Sequence, residues 1–182
     1  MKFSDITPFT RAGSYVVDMP LTYLQKTIDG YKEEYGLELN PDFQRGNVWT
    51  EQQQIDYLEF FFRGGKTARV LYFNCPDFGN RRADSDMPNM VLVDGLQRIT
   101  AFLRFMNNEI PIFGTFYRDF EDRMSATKFC VRINVNDLQY RKDVLRWYLD
   151  MNTGGVVHSD VEIQRVTALW KEELKKKGEE NE

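Results

Sequence analysis

The hydrophobic patterning of this chain predicts a mixed α/β or α+β fold: one domain with helices around a small mixed sheet. Apolar runs of strand length alternate with longer stretches in which apolar residues recur at helical spacing. With 182 residues, 42% of them hydrophobic and 14% aromatic, the chain suits one continuous core and needs no disulfide or metal to hold it. No internal repeat or low-complexity linker interrupts the alternation. The expected partition is an N-terminal arm over 1–14, a domain over 15–177 and a solvated tail over 178–182.

Residues 1–14 mix Ser, Thr, Pro and Gly without periodicity. Tyr15-Val16-Val17 then reads as a short strand. Asp18-Met19-Pro20 is expected to open a helix, because proline suits a first turn and Leu21, Leu24, Ile28 and Tyr31 follow on one face, ending near Gly30 or at Tyr35-Gly36. A short element at 37–39 leads into an ordered loop over 40–49. Thr50 and Gln53 have the spacing of a capping box, so 51–62 is a helix, stopped by Gly64-Gly65.

Arg69–Phe73 reads as a strand, and 74–89 as a polar surface loop with two prolines. Met90-Val91-Leu92-Val93 is continuously apolar, which predicts a strand covered on both faces rather than an edge. It stops at Asp94-Gly95, and from Arg98 the apolar residues Ile99, Phe102, Leu103 and Met106 define a helix. Phe129, Val131, Ile133 and Val135 alternate with polar residues, as in a half-buried strand. A helix over about 139–151 ends at Asn152-Thr153-Gly154-Gly155, and a last helix begins at a second capping box, Ser159 with Glu162.

Composition excludes much chemistry. One histidine, His158, and two distant cysteines, Cys75 and Cys130, cannot assemble a zinc site of ordinary spacing, and no haem or flavin site is expected. Any catalysis must use carboxylates, amides and arginines. The balance of 24 basic against 28 acidic residues disfavours a wholesale grip on nucleic acid and leaves room for a local basic site. The mixture of Arg63, Lys66, Arg69, Arg81 and Arg82 with Asp77, Asp84 and Asp86 reads as solvated surface. The N-terminal segment lacks an apolar stretch of signal-peptide length, no run approaches the ~18 apolar residues of a membrane span, and the cysteines look unpaired. The expected setting is therefore the cytoplasm, without membrane contact.

The sharpest candidate site is Asp94-Gly95-Leu96-Gln97-Arg98, where a buried strand meets a helix. Ligands bind at strand carboxyl ends, and a helix N-terminus offers backbone N–H groups to phosphate. A carboxylate there can hold Mg²⁺ or position water, an arginine can clamp phosphate, and a glutamine can orient water. The plain alternative is that Asp94 caps the helix while Gln97 and Arg98 stand in solvent. Asp42-Phe43-Gln44-Arg45 repeats the Gln-Arg dipeptide in another loop, and two converging arginines would suit a polyanion. There the plain alternative is Phe43 anchoring a loop. Trp49 reads as a core plug, and Asn152 on its own as part of a helix C-cap. Gly64-Gly65-Lys66-Thr67 ends like a phosphate loop, but Glu59 stands where that motif needs a glycine.

In combination, Asp42-Phe43-Gln44-Arg45…Trp49, then Val93-Asp94-Gly95-Leu96-Gln97-Arg98-Ile99-Thr100-Ala101, then Asn152-Thr153-Gly154-Gly155 resembles the N-terminal domain of GmrSD-type restriction endonucleases, over roughly residues 15–170. The resemblance implies a ParB/sulfiredoxin-like fold and a nucleotide-using sensor of a DNA restriction or phage-defence system. Its motif, Asp-Gly-Gln-Gln-Arg in the commoner form, is associated there with nucleotide binding and hydrolysis. Carried over, Asp94, Gln97 and Arg98 become catalytic residues, and Gln44, Arg45, Gly95, Arg98 and Asn152 contact a nucleoside triphosphate. Asp94 becomes a Mg²⁺ ligand.

Leu96 departs from the pattern, standing where the commoner motif has its first Gln, and leucine can neither donate to phosphate nor position water. With one histidine, this chain lacks the His-Asn-His nuclease chemistry of the family's enzymes, so the expected partner is a separately encoded nuclease subunit. The implied function is a stand-alone domain that binds a nucleoside triphosphate with Mg²⁺, with hydrolysis left open. The alternative is a DNA-binding or protein-interaction module of the same fold without turnover, touching DNA only through a local site.

Overall fold

The computed structural model describes residues 1–5, 15–78, 81–153 and 160–179. Among these, one four-stranded mixed sheet is flanked by five α-helices, an α+β domain as the patterning predicts. The strands are β1 (Tyr15–Pro20), β2 (Val70–Asn74), β3 (Val91–Asp94) and β4 (Cys130–Asn136), in the spatial order β1-β4-β2-β3. β4 pairs antiparallel with β1, Tyr15 facing Val135, and parallel with β2, Val70 facing Arg132. β2 and β3 are antiparallel with a register shift at Tyr72/Phe73. The helices are α1 (Leu24–Tyr35), α2 (Glu51–Phe62), α3 (Leu96–Met106), α4 (Arg141–Thr153) and α5 (Asp160–Glu179).

Alternation along each strand divides the core in two. Leu71, Phe73, Leu92, Val131, Ile133 and Val135 point to a face covered by Leu24 and Ile28 of α1, Leu58 and Phe61 of α2, and Ile99 and Phe102 of α3. Val91 and Val93 point the other way, onto Val144, Leu145 and Tyr148 of α4 and Val166 of α5. Successive residues of a strand face opposite sides, so the apolar run of β3 serves both clusters.

Two expectations are corrected here. β3 is covered on both faces, yet it lies at the edge of the sheet: continuous apolarity reports on the layers above and below, not on ladder neighbours. Its outer side is met by Glu38, whose N–H donates to Met90 O and whose carbonyl accepts from Leu92 N, both at 3.0 Å. Pro20 opens a 3-10 turn rather than an α-helix: it ends β1, opposite Cys130, and is the N-cap of the turn over Leu21–Tyr23, after which α1 begins at Leu24. An edge strand tolerates the missing N–H, which is why proline is compatible with either reading.

Other expectations hold. Thr50 and Gln53 form the reciprocal capping box of α2. α1 runs through Gly30 and stops at Gly36, which takes the left-handed conformation (φ 63°) and donates to Tyr31 O. α4 is shifted to 141–153, so Asn152 and Thr153 are still helical. Gly154, Gly155, His158 and Ser159 lie outside the described residues.

Candidate functional site

The turn at the end of β3 opens into a cavity of about 370 Å³, within the ordinary range of small-molecule sites. All of the sequence-predicted residues line it: Asp94, Gly95, Gln97 and Arg98 from the turn, Gln44 and Arg45 from the loop, and Asn152 from the end of α4. Arg45 and Asn152 lie 107 residues apart, so only the tertiary fold brings them together. Asn152 is oriented by its own helix, its amide donating to Tyr148 O at 2.7 Å. The apolar wall comes from Trp49, Ala68, Leu96 and Met151. Trp49 is partly the expected plug, with its ring 5.2 Å from that of Tyr57, and also part of the wall.

Gly95 makes the turn. Its φ of 125° is a conformation side chains rarely adopt, and a Cβ there would stand 2.7 Å from Leu71 Cδ2. Gly95 is also the N-cap of α3, which has neither a side-chain cap nor an acidic residue in its first turn. The first-turn N–H groups of α3 therefore lack the usual oxygen partner, with the positive end of the helix dipole at the cavity. The reading of Asp94 as a helix cap is thus replaced. Its carboxylate accepts instead from Arg98 Nη2 in a close pair one turn along, and Arg98 Nη1 donates to Val70 O at 2.7 Å. Arg98 is 13% exposed, so it does not stand in solvent, while Asp94 remains 41% exposed on the cavity wall.

Both glutamines hold backbone. Gln97 Oε1 accepts from the N–H groups of Val48 and Trp49, each at 3.0 Å, and Gln97 Nε2 donates to Gly46 O at 2.6 Å. Gln44 Nε2 donates to Leu92 O and Val93 O at 3.1 and 2.8 Å. Together they lash the loop over 40–49 to β3 and α3. Phe43 anchors the same loop, as the plain reading expected, its buried ring 5.4 Å from that of Tyr148. Asp42 is held by Arg141 through two contacts of 2.7 Å.

Arg45 differs from Arg98. It is 35% exposed, and its Nη1 lies 3.7 Å from Oε2 of Glu162 in the first turn of α5, a carboxylate that is only 8% exposed. Tyr148 OH donates toward Glu162 Oε1 at 3.4 Å, and burial pushes the Tyr148 hydroxyl well above its ordinary pKa, with the nearby carboxylate adding to the shift. Arg165 of α5 reaches the same loop, donating to the carbonyls of Asp42, Phe43 and Gln44. Glu162, Tyr148 and Arg165 were not legible as site residues. Glu162 has the spacing of a cap partner to Ser159, and nothing local shows that its helix docks against residue 45.

Outside the cavity, the basic mixture separates. Arg81 pairs with Asp77 at 3.1 Å and Arg82 with Asp84 at 3.4 Å, while the Arg69 guanidinium lies over the Phe61 ring, 4.5 Å from its centre. Cys75 is buried, which pushes its thiol pKa up and away from reactivity. Among the described residues no group of three His, Cys, Asp or Glu side chains could hold a metal ion, and no helix is long and apolar enough to cross a membrane.

These features define a class: a small α+β domain with a polar cavity where a strand–glycine–helix turn meets an arginine-bearing loop. The family model of the GmrSD restriction endonuclease N-terminal domain matches residues 24–130, more than half of the chain. The chain belongs to this family of restriction and phage-defence components. The match spans the 40–49 loop and the Asp94–Arg98 turn; Tyr148, Asn152 and Glu162 lie beyond it. No curated protein and no solved structure matches the chain.

Proposed function

We propose that the chain binds a nucleoside triphosphate in this cavity and acts as the nucleotide-using part of a restriction system, with a nuclease as partner. The observation that carries this reading is the uncapped first turn of α3, opening into a cavity that also holds Arg45. Free backbone N–H groups, a helix dipole and a half-exposed guanidinium converge on one anion-sized space. In this reading the phosphates lie against Gly95 and the first turn of α3, and Arg45 closes over them. The apolar wall of Trp49, Leu96 and Met151 takes the nucleoside, with Asn152 supplying a carboxamide at its edge.

Among the described residues Asp94 supplies the only carboxylate on the wall, so a Mg²⁺ arriving with the nucleotide would take it as a protein ligand, phosphates and water completing the shell. Such an ion neutralises phosphate charge. The chain's own residues divide the remaining work: Arg98 holds Asp94 in place, and Gln97 and Gln44 hold the loop that carries Arg45. With Leu96 apolar and the Gln97 amide committed to backbone, binding is the primary activity and hydrolysis rests on Asp94 orienting water.

The test is a panel of the four ribonucleoside triphosphates with Mg²⁺, following binding and phosphate release for the parent, Asp94→Ala and Arg45→Ala. Saturable binding that weakens about tenfold or more in Arg45→Ala is expected. Release that vanishes in Asp94→Ala with binding retained assigns that carboxylate to turnover. No binding of any nucleotide by the parent would sink the reading. The DNA-module alternative would then be pursued by retention on DNA without nucleotide, which declines steeply with salt when phosphate contacts carry it.

A further inference from the structure

We infer that Glu162 is a positioning residue for the cavity: it competes with the bound anion for Arg45, and through that competition α5 senses whether the cavity is occupied. This inference rests on the reading of the cavity as an anion site.

Arg45 belongs to two spaces at once. It lines the cavity at the α3 turn, and it lines a more open cleft between the 40–48 loop and the start of α5, where Arg165 and Glu162 stand. Gln44 beside it is shared by both spaces as well. On the far side the counter-charge of Arg45 is Glu162, 3.7 Å away, beyond direct hydrogen-bond length. The pair is therefore an attraction across a gap rather than a direct hydrogen bond of the kind Arg141 Nη2 makes to the Asp42 carboxylate at 2.7 Å. An anion at the α3 turn offers Arg45 a second and more highly charged partner on the near side.

Glu162 is held where it can compete. It is nearly buried, the Tyr148 hydroxyl donates toward it, and it sits in the first turn of α5, where the helix dipole favours a negative charge. Coulombic attraction in such a sheltered place is stronger than at the surface. When Arg45 swings to an anion, that buried charge loses part of its compensation, and α5 loses one of its arginine links to the 40–48 loop, leaving Arg165 on the carbonyls of Asp42, Phe43 and Gln44 and Arg141 between Asp42 and Glu173. Binding in the cavity and docking of the start of α5 then oppose each other. Linkage is reciprocal: the factor by which a bound anion weakens docking of α5 is the factor by which undocking of α5 strengthens anion binding.

This predicts a sign that a merely structural role does not. Glu162→Gln keeps the shape and the hydrogen-bonding oxygen and removes the charge. It should bind inorganic tripolyphosphate roughly three- to tenfold more tightly than the parent, because Arg45 no longer has a rival. Its melting temperature should meanwhile fall slightly. In the double variant Arg45→Gln/Glu162→Gln that gain should disappear. The parent itself supplies a readout independent of any substitution. Amide hydrogen exchange in the first two turns of α5 should speed up when tripolyphosphate is added, and this response should be absent in Glu162→Gln.

The inference is overturned by weaker or unchanged tripolyphosphate binding in Glu162→Gln, or by α5 exchange that ignores saturating tripolyphosphate in the parent. Failure of the nucleotide panel with tripolyphosphate binding and the α5 response intact would remove the nucleotide reading and leave the competition standing. Failure of the parent to bind either ligand would remove both.

Discussion

The dipeptide Gln-Arg occurs at 44–45 in a loop and again at 97–98 in the first turn of α3, both facing one cavity, and the two copies are used differently. The glutamines do the same work: each spends its amide on backbone, Gln44 on β3 and Gln97 on the 46–49 loop. The arginines diverge. Arg98 is 13% exposed and committed to a strand carbonyl and to Asp94, whereas Arg45 is 35% exposed and only loosely held across 3.7 Å by Glu162. One guanidinium is part of the frame and the other is available to a ligand. The lesson is that residue type and proximity to a cavity do not assign a role; the partners already engaged do.

Substitutions that separate frame from ligand test this contrast directly. Arg98→Ala should have the largest effect on the fold. It leaves Val70 O and Asp94 without their donor, which costs about 2–3 kcal/mol and lowers Tm by roughly 5–10 °C in a domain of this size. Thermal melting by circular dichroism checks it, and a drop no larger than that of Arg45→Ala would erase the distinction.

Gln97→Ala should follow, at about 1–2 kcal/mol, since three loop contacts are lost. The accompanying signature is faster amide exchange at Val48 and Trp49; unchanged protection there would mean the loop is held by something else. Arg45→Ala should cost about 1 kcal/mol, the energy equivalent of its three- to tenfold rivalry with the anion for the nearly buried Glu162, and still well below Arg98→Ala. Its main cost should appear in ligand affinity, measured by titration calorimetry with tripolyphosphate.

A separate test is alkaline. Burial pushes the Tyr31 hydroxyl up to about 12, and those of Tyr57 and Tyr148 shift in the same direction. The folded chain keeps these protons after the unfolded chain has begun to lose its own near pH ~10. Stability should hold below that point and decline as pH rises from ~10 toward 12. Urea midpoints measured across that window should fall, and Tyr31→Phe should flatten part of the decline.

Much of the frame was legible in residue order. The capping box at Thr50 and Gln53 worked as written because both partners lie within one turn, and Asp94-Gly95 marked the strand-to-helix switch because only glycine fits a φ of 125° against Leu71. The seven residues expected to converge do line one cavity. Less legible were the edge position of β3 and the strand character of Pro20, since each depends on which strand lies alongside.

What the sequence by itself determined is therefore local: periodicity, caps, the glycine turn, and the shortage of histidine and cysteine that limits the available chemistry. What only the tertiary structure decided is the division of labour among the charged and amide groups. Arg98 turns inward to Val70 and Asp94, Arg45 faces Glu162 from a helix more than 100 residues downstream, and Gln97 spends its amide on a loop about 50 residues upstream. Periodicity and capping act over one or two turns, so composition and spacing can reveal them. Hydrogen-bond saturation and charge pairing depend on distances across the fold, and those exist only once the sheet has brought the two Gln-Arg segments together.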